Sequence, residues 1–299
     1  MITVFGSINL DLVVAVPYLP KAGQTVTGPD HQTFPGGKGA NQALAARLAG
    51  APVRMVGAIG QDAFGPLALT NMEGAGVDLS AVRRLPGASG LAFIGIDAEG
   101  ENQIIVASGA NARVDANWLE GSLSKADTLL LQGEVPVSQM QRAIERAVRS
   151  GASVFWNPAP VPREDILASL DAVETLVVNE SEAEEIAARA GLTGGLDVFI
   201  DHFATGARRV VVTLGAKGVR AGFDGDSYQV GAPEIKAVDT TGAGDAFCGA
   251  LAAALDAGTP FMRALKEGVA AGALACSATG AQSSAPRRED IHHLADQIV

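Results

Sequence analysis

The chain has 299 residues, 47 % of them hydrophobic and 5 % aromatic, which supplies a sizeable core and favours helices packed closely on a sheet over an all-β fold. A formal net charge of −11 with no basic block argues against a nucleic-acid partner, and it offers an anionic ligand no long-range attraction, so phosphates must be handled locally. Cys248 and Cys276 lie outside any CxxC pair and the four histidines are scattered, which does not suggest zinc; two reduced core thiols in a cytoplasmic protein are expected.

In chain order, residues 1–9 read as a buried strand running into a turn, with no secretory signal pattern before it. Residues 11–34 alternate in polarity and break at Pro17, Pro20 and Gly23. Helical patterns follow over 40–50 and 66–76. Residues 91–97 and 103–107 are strand-rich around a hairpin-like turn at 98–101. Together with 11–34 they are expected to form a small β layer apart from the main sheet. From residue 127 the pattern becomes regular. Buried strands are predicted at 128–132, 152–156, 175–178 and 210–214. An amphipathic helix is predicted over 138–149, with Met140, Ile144, Ala147 and Val148 on one face. A second helix is predicted over 181–190, opened by a capping box of Ser181 and Glu184. This alternation implies a mostly parallel sheet covered by helices, in one α/β domain spanning 1–299. The apolar segment 249–255 is stopped by Asp256, Gly258 and Pro260, so no membrane span is expected.

Ligands of open parallel sheets sit beyond the carboxyl ends of the strands. Those ends carry Glu134, Asn157, Asn179, Glu182 and Thr213. The strongest segment is VDTTGAGDAFCGALAAAL, residues 238–255, a glycine turn leading into a long helix. The free amides at such a helix start, Gly242, Ala243 and Gly244, can hold an anion, while Asp245 in the first turn can accept a proton. A plain capping role for Asp245 is the competing reading. PGGKGANQALAARLAG, residues 35–50, is a second glycine turn before a helix. It offers Gly37, Lys38 and Asn41 and a backbone surface against which a polyhydroxy ligand can lie. It is not a Walker A loop, because no Ser or Thr follows the lysine, and no GxGxxG occurs in the chain. In GSINLD, Asn9 and Asp11 share one side of a strand end and suit a pair of vicinal hydroxyls. In NESE, Asn179 and Glu182 suit the waters around Mg²⁺. In TLGAKGV, Gly215 and Gly218 after Thr213 suit contact with a nucleotide, although an ordinary hairpin explains this segment as well.

In this order, GSINLD, GGKGANQA, AEGEN, NPAP, NESEAE, VDTTGAGDAF and GAQSSAP resemble the ribokinase branch of the PfkB carbohydrate kinase family along essentially the whole chain. The resemblance implies a three-layer α/β/α core with a small β-sheet lid, formed by about 11–34 and 91–107, that often serves as a dimer interface. It implies ATP-dependent phosphorylation of a sugar hydroxyl, with D-ribose as the leading acceptor. Asp245 would be the general base, and the amides of Gly242, Ala243 and Gly244 the anion hole. Asn9, Asp11, Gly37, Lys38, Asn41 and Glu134 would contact the sugar; Asn179, Thr213, Gly215, Gly218 and Gly244 would contact the nucleotide. Asn179 and Glu182 match a motif linked to Mg²⁺. Asp239, Thr241, Ala275, Ala278, Gly280 and Ser284 would hold an activating K⁺. The chain departs from its relatives near the adenine pocket, where Val269 stands in place of Asn or His. Other acceptors (2-deoxyribose, fructose or a nucleoside) and a non-catalytic sugar sensor are the alternatives, and scarce aromatics weigh against the nucleoside.

Overall fold

The computed structural model describes residues 1–298. Its strands are β1 (Ile2–Phe5), β2 (Asn9–Ala15), β3 (His31–Gly36), β4 (Val53–Gly60), β5 (Val82–Leu85), β6 (Gly90–Ile96), β7 (Asn102–Ala107), β8 (Thr128–Leu131), β9 (Ser153–Trp156), β10 (Thr175–Asn179), β11 (Arg209–Thr213), β12 (Val219–Phe223) and β13 (Asp226–Val230). Its helices are α1 (Lys38–Leu48), α2 (Phe64–Ala75), α3 (Val137–Ser150), α4 (Leu167–Leu170), α5 (Glu180–Arg189), α6 (Leu196–Phe203), α7 (Ala243–Asp256), α8 (Phe261–Ala275) and α9 (Arg288–Ala295).

The main sheet has nine strands in the order β13-β12-β11-β10-β9-β8-β1-β4-β5. Pairing is parallel from β11 to β5, and β12 and β13 extend one edge in antiparallel fashion. Successive side chains of a strand point to opposite faces. Val4, Met55, Leu130, Phe155, Val177 and Val211 therefore join one core with α1, α2, α7, α8 and α9. Phe5, Val56, Leu131, Trp156, Val178 and Val212 join the other with α3, α4, α5 and α6. Burial on both faces is why these strands read as unbroken apolar runs. The result is the expected three-layer core with a mostly parallel sheet.

Strand order reverses between β1 and β8. From β1 the chain moves outward through β4 and β5, then returns to β8 and moves the other way. Loops leaving the carboxyl ends of β1 and β8 diverge and open a crevice. β2 starts three residues past β1 and belongs to a separate four-stranded sheet, β3-β2-β6-β7. Asn9 there lies opposite Gly36 and Gly90, and Asp11 opposite Phe34 and Ala92. Every residue of the edge strand β7 is exposed, Ile104, Ile105 and Val106 included.

Three local readings need correction. Val148 on α3 is exposed, and Val137 and Ala143 complete the buried face with Met140, Ile144 and Ala147. Helix α5 begins one residue earlier than expected, and its capping box is Asn179 with Glu182, not Ser181 with Glu184. Both cysteines are free thiols, but Cys276 is only half-buried. Among the described residues no helix is long and apolar enough to cross a membrane.

Candidate active site

The glycine turns before α1 and α7 look alike in sequence and differ in structure. At α1 the first-turn amides are consumed within the protein. Lys38 N donates to Glu134 Oε2 (2.9 Å), Gly39 N to Ser7 Oγ (3.2 Å) and Ala40 N to Ser7 O (2.9 Å). Ser7 Oγ in turn donates to Glu134 Oε2 (2.5 Å). A Cβ on Gly39 would stand 2.5 Å from Ser7 N, so this glycine serves close packing of α1 on the β1–β2 link. The amides of Lys38, Gly39 and Ala40, orphan donors at a helix start, are thus already satisfied within the protein. At α7 they are not. Ala243 N donates to Thr240 O (3.2 Å), whereas the amides of Gly242 and Gly244 have no acceptor among the described residues. Gly242 adopts φ 78°, and a Cβ there would meet Ala281 Cα at 2.6 Å; a Cβ on Gly244 would meet nothing within 4 Å.

Helices α1 and α7 cross closely, since a Cβ on Gly249 would lie 2.5 Å from that of Ala45. The crossing brings the side chains of α1 to the first turn of α7. Asp245 Oδ2 accepts from Asn41 Nδ2 (3.0 Å), and Oδ1 accepts from Gln42 Nε2 (2.9 Å). Lys38 Nζ stands 3.8 Å from Oδ1. Each amide is held by another. Gln42 Nε2 also donates to Asn157 Oδ1 (3.0 Å), and Gln42 Oε1 accepts from Gln132 Nε2 (2.9 Å). Asn41 Oδ1 accepts from Gln282 Nε2 (3.0 Å), and Gln282 Oε1 accepts from Asn71 Nδ2 (3.1 Å). Apart from Asn71, all of these residues are buried. A buried carboxylate held by several donors has fixed geometry and keeps lone pairs for a further proton.

The charges converge. Burial raises the Asp11 carboxyl to about 7, and the neighbouring Glu134 and Asp245 add to the shift. Asp245 does most to raise the Lys38 ammonium, with Glu134 and Glu182 contributing, so Lys38 stays charged. Burial also raises Glu182. Asn9 is fixed by Asn111, whose Nδ2 donates to Asn9 Oδ1 (2.7 Å) and to Ile8 O (3.1 Å). Asp11 lies on the same side of β2, beside Gly36, where a Cβ would come within 2.3 Å of its carboxylate. The structure thus gathers Asp11, Lys38, Asn41, Glu134, Glu182 and Asp245, from widely separated segments, at the crevice where strand order reverses.

The remaining predicted residues divide. Asn179 Oδ1 and Glu182 Oε2 are spent on the cap of α5 (2.8 and 2.9 Å), leaving Glu182 Oε1 as the oxygen that can face a hydrated cation. Among the described residues no three His, Cys, Asp or Glu side chains converge to hold a metal directly. Thr213 ends β11 and Gly215 is open, but Gly218 is packed, for a Cβ there would lie 2.0 Å from Val230 O. Packing of β12 on β13 therefore by itself requires glycine at 218. Asp239 accepts from Thr241 N (2.9 Å) and Gly280 N (2.9 Å), which closes the 279–284 loop onto the turn before α7. The Ser284 hydroxyl is buried without a partner. The carbonyls of Thr241, Ala275 and Ala278 accept no hydrogen bond among the described residues. Unpaired carbonyls, an orphaned hydroxyl and a carboxylate are a donor set that fits a large, weakly hydrated monovalent cation. Val269 is buried in the core on α8.

Ser7, Gln42, Asn71, Asn111, Gln132 and Gln282 escaped the motif reading. Gln42 had a signal: an amide following Asn41 in a helix of Ala and Leu is buried and must find partners. The others are joined only by the fold.

The description "pfkB family carbohydrate kinase" belongs to a family model that matches residues 1–288. The chain is 38 % identical to the ribokinase of Haemophilus influenzae, over 97 % of this chain and 96 % of that one. It is 33 % identical to a deoxyribokinase of Salmonella typhi, over 97 % of each. The fold matches the crystal structure of ribokinase from Thermotoga maritima with a TM-score of 0.91 at 35 % identity, covering 99 % of both chains. It matches the Arabidopsis thaliana ribokinase complexed with ribose and ATP with a TM-score of 0.86 at 31 % identity, covering 98 % of both. Fold, crevice and full-length similarity agree, and the chain belongs to the pfkB family of carbohydrate kinases.

Proposed function

We propose that the protein transfers the γ-phosphoryl group of ATP to the primary 5-hydroxyl of D-ribose, with Asp245 as general base. The observation that carries this reading is a buried Asp245 carboxylate held by two neutral amides (2.9 and 3.0 Å) at a glycine turn whose helix amides stay open. The ribose assignment draws on the similarity to ribokinases, one of them complexed with ribose and ATP. The deoxyribokinase at 33 % identity keeps 2-deoxyribose as the second acceptor.

In this reading the sugar lies against Asn9, Asp11, Gly37, Lys38, Asn41 and Glu134. Asp11 and the free oxygen of Glu134 accept from its hydroxyls, while the Lys38 ammonium offsets the crowded carboxylates. Asn41 and Gln42 aim Asp245 at the attacking hydroxyl. The proton passes from the 5-hydroxyl to a carboxylate oxygen of Asp245 as the new O–P bond forms and the bond to the ADP oxygen breaks. The amides of Gly242 and Gly244 hold the transferring phosphoryl oxygens; Ala243, tied to Thr240, donates less directly. Thr213, Gly215 and Asn179 line the nucleotide's path. Asn179 and Glu182 would hold a hydrated Mg²⁺, which would supply neutralisation of phosphate charge. A monovalent cation held by Asp239, Thr241, Ala275, Ala278, Gly280 and Ser284 would stabilise the loop that backs Gly242. The small sheet acts as a lid that excludes water, and its exposed Phe93, Ile104, Ile105 and Val106 pair with a second copy.

The test is sugar-dependent ADP release by wild type and Asp245→Asn. The variant is expected to lose about 10²–10⁴-fold in kcat while still binding ATP. Undiminished turnover would remove Asp245 from the mechanism.

A further inference from the structure

Asp245 Oδ2 is reached by a chain of three amides, of which only Asn41 is assigned a task by its motif. It runs from Asn71 on α2 to Gln282 in the 279–284 loop, to Asn41 on α1, and then to Asp245 Oδ2 (3.1, 3.0 and 3.0 Å). Gln282 and Asn41 are buried, and Asn71 is half-buried at the outer end. A side-chain amide has one accepting and one donating end. An ionised carboxylate only accepts. Asp245 therefore fixes the direction of the whole chain: Asn41 must turn its NH₂ inward, which leaves its oxygen for the NH₂ of Gln282, whose oxygen then takes the NH₂ of Asn71. The converse also holds. With Gln282 donating, the orientation of Asn41 that opposes two oxygens at Asp245 is disfavoured.

From this geometry we infer that Gln282 is a positioning residue for the reaction: it locks Asn41 in the orientation that aims the Asp245 carboxylate. The inference rests on the reading of Asp245 as general base. The same short loop reaches the other half of the apparatus. Ala281, one residue earlier, packs on Gly242 so closely that a Cβ there would lie 2.6 Å from its Cα. Adjacent residues of one loop thus back both the anion-holding turn and the base, and the hydrogen bond from Gly280 N to Asp239 Oδ2 (2.9 Å) ties this loop to the start of that turn. The buried Gln282 side chain spends its amide on Asn41 and Asn71, so its loss should appear in kcat and leave ATP affinity intact.

The experiment compares wild type, Gln282→Met, Gln282→Glu and Asp245→Asn from pH 6 to pH 9, reading kcat, KM for ribose, ATP affinity and thermal midpoint. Methionine keeps the length of the side chain and removes the donor; kcat is expected to fall up to about a hundredfold, the scale of a misplaced reacting group, with ATP affinity unchanged. Glutamate can donate to Asn41 Oδ1 only when protonated. Burial and the nearby Asp245 favour that form, so Gln282→Glu is expected to exceed Gln282→Met in kcat at pH 6. Wild-type kcat in Gln282→Met overturns the inference, as does a Gln282→Glu enzyme no better than Gln282→Met at pH 6. If Gln282→Met fails to fold, Asn71→Asp and Asn71→Ala replace it. Only the aspartate presents an acceptor alone to Gln282 Oε1 and forces it to turn, so it should be the slower enzyme, and equal kcat would refute the coupling. A fully active Asp245→Asn defeats the general-base reading itself, whereas an inactive Asp245→Asn beside an unaffected Gln282→Met defeats only the role of Gln282.

Discussion

Asp11 shows how a buried carboxyl in the crevice sets stability against the role proposed for it. Its carboxyl titrates near 7 in the folded chain and near 3.8 in a model peptide, chiefly because burial disfavours the charge. Between these values the folded state holds a proton that the unfolded state releases, so Asp11 makes native stability fall as pH rises through that window, with the full penalty above about 7. Asp11→Asn is expected to raise the thermal midpoint more at pH 8 than at pH 5, with a gain in stability of on the order of 1–3 kcal/mol at pH 8, while raising KM for the sugar. Equal shifts at both pH values in thermal melts would contradict this assignment. At this scale the sequence was legible where one segment carries both the residue type and its neighbours. Asn9 with Asp11, Lys38 with Asn41, and Asp245 after its glycines were all readable. Gln282 and Asn71 were not, because their meaning depends on partners more than 200 residues apart. Asn179 shows the limit within a motif: Asn, Ser and Glu all favour helix starts, and the geometry chose Asn179 as the cap where the pattern also allowed Ser181.

At the scale of elements, the protein uses two glycine turns before helices for opposite purposes. The start of α1 is closed by Ser7 and Glu134, and its glycines let it pack on the β1–β2 link. The start of α7 keeps amides open, and its glycines differ from each other. Gly242→Ala must adopt a left-handed backbone against Ala281 and is expected to cost at least about 1–3 kcal/mol of stability. Gly244→Ala meets no neighbour within 4 Å. It should fold as well as wild type, or better by about 0.5–1 kcal/mol from helix propensity, yet lose most of its turnover because a methyl group enters the space for the phosphoryl oxygens. Melting curves and kcat for the two variants separate these effects; a normal rate in Gly244→Ala would remove the α7 amides from the reaction. The sequence marked both turns as possible ligand platforms, since glycine spacing alone does not report whether a serine and a glutamate from elsewhere reach the amides first.

For the whole molecule, parallel strands, two-sided burial and the separate small sheet followed from apolar periodicity and turn residues, whereas the strand order did not. The reversal between β1 and β8 arises from which helices cover which face, and it brings residues 7–11, 36–42, 134 and 245 to one crevice. The exposed apolar strand β7 is a free edge that an isolated chain would leave open to nonspecific pairing. Pairing between two copies there is expected to give a dimeric mass by light scattering, and Ile105→Lys, at a side chain 70 % exposed, a folded monomer; an unchanged mass in that variant would move the interface elsewhere. The central claim is phosphoryl transfer to ribose by this crevice. Its most direct test is ADP release by the purified protein with ATP, Mg²⁺ and K⁺, offered ribose, 2-deoxyribose, fructose and adenosine, with Asp245→Asn alongside. The expected result is strong stimulation by ribose, weaker stimulation by the others, and near-silence in the variant. Stronger stimulation by a different acceptor than by ribose would contradict the ribose assignment, and none by any acceptor, with ATP still bound, would contradict the sugar kinase reading altogether.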